Sequence, residues 1–286
     1  MSAAPASPGG TAAWSRSLAR LRAMPRAWLG FAIVGMFLGL AAAAWLGLVP
    51  APWAGADSGY SGPGAGHWLG TNRLGQDLLL LGIHGAASAF ELAVPVAAGA
   101  VAIGGILGAL AGWMHRRWPD WCTLWLANVI EALPFYLFAA AVALALGDYP
   151  WGTHVAMLAA FWTPTYRLVR AQVLRLRQQP YLLAAWKLGC SDRVLLQRHV
   201  LPNTAPIWLV QFSILFVAAI KTEVILTFLG LGPAVQASWG TMLTEGVEEV
   251  LAGHFGNFLV ASIMLFALAW GMHLLSDALQ QATEPV

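Results

Sequence analysis

Charge is scarce in this chain. Of its 286 residues, 10% are charged and 59% hydrophobic, whereas a soluble domain carries about 25% charged residues. So little charge excludes water as the solvent for much of the surface and points to lipid. Lysine is rarer still. Lys187 and Lys221 are the only two, and neither stands in G-x-x-x-x-G-K-[ST], so the chain has no P-loop to cradle nucleotide phosphates. The two cysteines, Cys122 and Cys190, lie far apart without metal-ligand spacing and read as free thiols. The ~10-residue alternating segments of a membrane barrel are missing.

What is present is a series of long apolar runs. Each is about 20 residues or more, enough to cross roughly 30 Å of hydrocarbon as helix. Six spans are expected, at 27–49, 88–114, 122–147, 153–173, 205–231 and 256–279. The fold class is therefore all-α, a polytopic membrane protein. A first segment, 1–26, precedes the first span, and an external loop with an interfacial segment fills 50–87. A five-helix core covers 88–280, with a large connection at 174–204, and a tail covers 281–286. The first apolar run, 27–49, exceeds the 7–15 residues or so of a signal-peptide core and reads as a retained helix. The stretch 78–114 reads as too long for one helix, with His84 and Gly85 interrupting it and about 75–85 lying at the interface.

Charge placement orients the chain. With six spans and both termini cytoplasmic, the inner face holds Arg16, Arg20, Arg22, Arg26, Arg116, Arg117, Arg167, Arg170, Arg175, Arg177, Lys187, Arg193 and Arg198, and the outer face holds Arg73. That imbalance satisfies the positive-inside rule. Arg167 and Arg170 snorkel to the inner face in this reading. Asp57, Asp77, Asp148, Glu245, Glu248 and Glu249 fall outside, the glutamates in a solvated acidic loop or a docking surface.

Within the spans, Gly104, Gly108 and Gly112 form a close-packing face. Pro95 and Pro134 predict kinks that neighbouring helices accommodate. Tryptophans cluster near span ends, where they anchor at the interface, and the scattered histidines read as packing groups. Glu131, Lys221 and Glu223 are intramembrane charges that are costly against lipid. A Glu131–Lys221 pair, a polar lining for a translocation path and a proton relay are the open alternatives for them.

The connection 174–204 carries the most informative chemistry. Pro180 suits a helix's first turn, Gly189 can take the left-handed conformation that ends one, and Ser191 or Asp192 can cap the next. Pro202 is expected to stop that second helix. The result is a helix, turn and helix outside the membrane that is unusually apolar: Leu182, Leu183, Trp186, Leu188, Val194, Leu195 and Leu196. Such a surface implies a partner groove.

This stretch resembles the cytoplasmic loop of binding-protein-dependent ABC importer permeases, through Ala184, Ala185, Gly189, Leu201 and Pro202 at the family spacing. Leu183 stands where that family usually has glutamate. Leu69 to Asp77 (with Gly70, Thr71, Asn72, Gly75 and Asp77) and the pair Glu223–Gly232 and Ser238-Trp239-Gly240 resemble motifs of the dipeptide/oligopeptide/nickel branch. Asn72 and Gln76 replace its usual acid and arginine. The resemblance covers about 67–280 and implies a C-type permease with a type I fold in the inner membrane. Leu183, Ala184, Ala185, Trp186, Gly189, Ser191, Asp192, Leu201 and Pro202 would form its ATPase-coupling loop. Implied partners are a B-type permease, two ATPase subunits, an extracytoplasmic solute-binding protein and lipid, with no nucleic acid. ATP and Mg would sit on the ATPases, with no metal or other cofactor on this chain and no bond chemistry performed by it.

The main rival is a secondary transporter or channel using Glu131, Lys221 and Glu223. A serine-based intramembrane enzyme would need a serine and a histidine facing each other at one depth, and no such pattern is found.

Overall fold

The computed structural model describes residues 19–54, 59–64, 66–147, 149, 151–232 and 237–283. The expectations for Arg16, Asp57, Asp148, the segment 1–18 and the last three residues lie outside them. Among the described residues the regular structure is helical, apart from an isolated bridge between Thr71 and Asp77.

Helix α1 (Pro25–Trp45) opens on a proline, whose fixed φ suits a first turn and whose missing N–H has no partner to lose there. Helix α2 (Leu78–Trp113) corrects the reading of 78–114, because it is one helix of 36 residues. At ~1.5 Å per residue it is about 54 Å long, so it outruns the bilayer. Most of the stretch expected at the interface, about 75–85, is the first part of this same helix. Asp77 fixes the start, its carboxylate accepting from the N–H groups of Leu79 (2.8 Å) and Leu80 (3.0 Å). His84 and Gly85 do not interrupt it. His84 reaches the Pro50 carbonyl at 3.0 Å, and the bare Cα of Gly85 makes room for the Trp239 ring.

Helices α3 (Trp118–Ala132) and α4 (Phe135–Ala145) are bent by 97° at a short break. Leu133 precedes Pro134 and is extended (ψ 139°), as steric clash with a following proline ring dictates. The expected span 122–147 is thus two helices rather than one kinked helix.

Helix α5 (Gly152–Arg177) lies along α2 in the most extensive pairing of the fold. The glycines at 104, 108 and 112 make that approach possible, so their partner is α5 of the same chain rather than another subunit. A Cβ at Gly108 would sit 2.6 Å from the Tyr166 carbonyl oxygen, and one at Gly112 2.8 Å from Val173 Cβ. Gly108→Leu should therefore cost about 3 kcal/mol or more through overpacking against backbone. Gly35→Leu, in open space on α1, should cost nothing. Thermal unfolding of the two purified variants in detergent measures the contrast.

After α6 (Pro180–Lys187) and the short α7 (Asp192–Leu195), the chain widens into a π turn over Leu196–Val200 and enters α8 (Leu201–Phe228). Pro202 does not stop the helix. It sits in the first turn of α8, and Leu201 N–H bonds to the Leu196 carbonyl five residues back. The wider turn lets the chain continue where a proline would break an α-helix interior. Helix α9 (Trp239–Leu251) starts at a capping box in which the Ser238 and Thr241 side chains satisfy each other's backbone N–H. Helix α10 (Gly256–Thr283) returns along α1, where Gly30 and Gly271 allow close contact.

Among the described residues, α1, α2, the run Asp192–Phe228 and α10 are long and apolar enough to cross a membrane. The α3–α4 pair adds a fifth crossing if it counts as one broken span. Helix α5 falls short of that test because Arg167, Arg170, Arg175 and Arg177 lower its hydropathy. Its apolar side is nonetheless buried, with Met157, Tyr166, Val169 and Val173 fully covered.

Candidate functional site

Candidate residues gather at the two ends of α8. At its start stands the apolar elbow. Gly189, at φ +86°, ends α6 in the left-handed conformation. Ser191 occupies the N-cap position of α7 without a side-chain cap bond, and Asp192 opens its first turn. Leu182 and Leu195 turn inward and pack with Val169, Val173 and Leu176 of α5 and with Val200. That inner seam fixes the elbow to the end of α5. The opposite face stays open: Leu183 is 48% exposed, Trp186 61% and Leu188 86%. Ala184 and Pro202 are exposed too, while Ala185 and Leu201 are half-buried against the seam.

At the far end of α8, the two remaining motifs meet. Asn72 Oδ1 accepts from the N–H groups of Leu74 (3.0 Å) and Gln76 (2.9 Å), and Asn72 Nδ2 donates to Gln76 Oε1 at 2.8 Å. The two residues that depart from the family pattern therefore bond to each other. Gly70 (φ +83°) and Gly75 (φ +75°) turn the chain so that Thr71 bridges Asp77. The Arg73 N–H donates to Glu249 Oε1 at 3.0 Å, and its guanidinium reaches Glu248 at 3.6 Å. Tyr60 stacks on His254 with centroids 3.6 Å apart. Trp239, 1% exposed, fills the slot left by Gly85 and donates from Nε1 to the Gly82 carbonyl at 3.0 Å. Glu223 Oε1 accepts from Ser238 Oγ at 2.9 Å and from Thr227 Oγ1 at 3.1 Å, and Gly240 leaves the carboxylate room. Residues 59–64 and 66–77, the start of α2, the end of α8 and α9 thus form one clamp.

The acidic stretch is accordingly helix α9 rather than a solvated loop, and Glu249 is buried in it. Burial, reinforced by the Glu249 carboxylate, pushes the Glu245 carboxyl up, against an opposing bond from Asn257 at 3.5 Å. A carboxyl raised in the folded state weakens folding as pH climbs through the ordinary glutamate range and beyond. Glu245→Gln should therefore raise the melting temperature at pH 8. The gain should shrink toward zero as pH falls to ordinary glutamate values, as a melting series across pH would record.

The intramembrane charges do not pair as expected. Glu131 bonds to Arg167 (Nε to Oε1, 2.9 Å), which also donates to Asn128 at 2.8 Å. Lys221 is exposed on α8, and no ion pair reaches it among the described residues. Glu223 is 7% exposed and is held in the clamp by Ser238 and Thr227. Glu131, Lys221 and Glu223 therefore form no shared relay, which removes the structural basis for the secondary-transporter alternative. The role of Arg167 as the partner of Glu131 was missed from sequence. Arg167 had a signal, a charge one helical register from the apolar half of α5, but snorkelling was the simpler account of it.

The helical bundle, its exposed elbow and its clamp define a membrane-embedded subunit built to be gripped from outside its own core. The chain belongs to the family described as binding-protein-dependent transport system inner membrane component, whose pattern matches residues 104–285. It is 32% identical over 224 residues to the dipeptide transport system permease protein DppC of Bacillus subtilis, covering 78% of this chain and 70% of that one. The identity is the same to the oligopeptide transport system permease protein OppC of Bacillus subtilis, covering 78% and 73%. It is also 32% over 226 residues to OppC of Mycobacterium tuberculosis, covering 78% and 77%. This chain is thus a multi-pass permease component of a binding-protein-dependent ABC importer.

Proposed function

We propose that this chain is the C-type half of a heteromeric importer of short peptides. It pairs with a B-type permease, two ATPase subunits supply hydrolysis, and an extracytoplasmic binding protein delivers solute. The open face of the elbow carries this reading. Three large apolar side chains, Leu183, Trp186 and Leu188, stand exposed beside arginines, where the chain itself does not cover them. A cleft on an ATPase subunit is the partner that fits, with Ala184, Ala185, Gly189, Ser191, Asp192, Leu201 and Pro202 shaping the contact. The arginine bias puts the elbow and both termini in the cytoplasm. Helix α5 then makes the sixth crossing, its arginines at the cytoplasmic end.

On the outer side, the clamp of Gly70, Thr71, Asn72, Gly75, Asp77, Ser238, Trp239 and Gly240 offers the surface on which the binding protein lands. ATP and Mg are held by the ATPases, and this chain makes and breaks no covalent bond. Peptide cargo is supported by the relatives, which are dipeptide and oligopeptide transport permeases. The test is uptake of labelled alanyl-alanyl-alanine into proteoliposomes holding the complete transporter, its binding protein and ATP. ATP-dependent accumulation is expected. Accumulation of nickel ion with none of peptide would overturn the cargo assignment.

A further inference from the structure

A cavity of about 590 Å³ opens at the α3–α4 break, between α5 and α8. That volume lies in the range of small-molecule sites, roughly 300–1,000 Å³. Its walls are mainly apolar, with Phe135 and Phe161 stacked at 5.0 Å and 1°. Three polar side chains, Glu131, Thr163 and Gln211, interrupt them. Gln211 projects from α8 into the cavity at 7% exposure, and its amide has no hydrogen-bond partner among the described residues. Its amide nitrogen and oxygen keep some accessible surface in the cavity, so they can bond a molecule that enters it. Glu131 lines the same cavity. Its two oxygens take two N–H groups from Arg167 and Thr163 lies against the same carboxylate, which leaves part of its roughly four acceptor positions open, and the side chain remains 37% exposed. The free positions of an anion already held in place suit an ammonium group.

We propose that this cavity contacts the solute during passage and reads a free α-amino terminus. The ammonium meets Glu131, the first peptide amide meets Gln211, and the neighbouring side chain lies on Phe135 and Phe161. This rests on the peptide-import reading and adds to it the residues that touch the cargo. Gln211 can be tested cleanly, because Gln211→Leu removes no existing hydrogen bond and keeps the side chain's bulk.

The complete transporter is rebuilt in proteoliposomes with Cys122 and Cys190 replaced by serine and with Ile214→Cys as a reporter. Ile214 lines the cavity and is already 39% exposed. N-ethylmaleimide labelling of that cysteine is followed during ATP turnover with increasing alanyl-alanyl-alanine. Labelling should slow severalfold with peptide. The concentration giving half protection should rise about fivefold in Gln211→Leu, the loss expected for one hydrogen bond, and it should rise also in Glu131→Gln. Peptide import with unchanged labelling, or half protection unmoved in both variants, would overturn the site and leave the import reading standing. No peptide import by the unsubstituted transporter would remove the import reading itself.

Discussion

Trp186→Ala combined with Leu188→Asp is expected to abolish ATP-driven uptake and to free this subunit from its ATPases. Both side chains lie on the open face of the elbow, more than half exposed, and neither belongs to the inner seam of Leu182, Leu195 and Val173. Their removal should leave the fold intact. Buried anchors of this kind contribute about 2 kcal/mol or more each at a protein interface. Two together then weaken docking about a thousandfold, and the aspartate adds an unpaired charge facing an apolar cleft. Copurification of a tagged chain with the ATPase subunits measures the loss directly. A melting temperature equal to the parent's establishes that the loss is at the interface. Leu195→Ala makes the complementary case. It leaves a void in the seam and should cost about 2–5 kcal/mol of stability, loosening the elbow without changing its outer face. Docking retained in the first variant would mean that the open face is not the contact.

What the sequence revealed follows the range of the interactions involved. Gly189 and Pro180 act through their own backbone geometry, so a helix, a left-handed turn and a second helix could be read directly. Asp77 is a sound N-cap by type, yet the helix it starts was misjudged. A length limit set by lipid does not bind a helix whose outer end is covered by α9 and α10. Pro202 was misread because the wider π turn before it depends on five consecutive residues rather than on the proline. The glycine stripe on α2 announced a close neighbour but not which one, since Tyr166 and Val173 come into register only after the chain has turned through α3 and α4. The same 97° turn brings Glu131 to Arg167 rather than Lys221. The clamp was visible as two separate motifs. Its closure through Arg73 and Glu249 spans residues far apart in the chain and has no local signature.

Trp239→Ala should uncouple the two ends of the molecule. The ring is buried in the slot at Gly85, meets the edge of Phe37 at 5.8 Å, and is tied to α2 through the Gly82 carbonyl. Truncating such a tryptophan costs about 3–5 kcal/mol, here concentrated where α9 meets α1 and α2. Gly82 and Gly85 are too small to collapse into the space, so the void persists. Ser238 would then lose its fixed position against Glu223, and Arg73 its hold on Glu249, because both bonds depend on where α9 lies. Hydrogen exchange should accelerate over 59–77 and 237–251 while the elbow at 180–202 stays as protected as in the parent. Copurified ATPase should remain, but its stimulation by the binding protein should fall at least tenfold, about 1.4 kcal/mol of lost coupling. The effector arrives at the clamp, and a clamp that opens locally passes less of its binding energy down α8. Equal acceleration of exchange at both ends would instead mean that the bundle unfolds as one unit and that the clamp has no independent role.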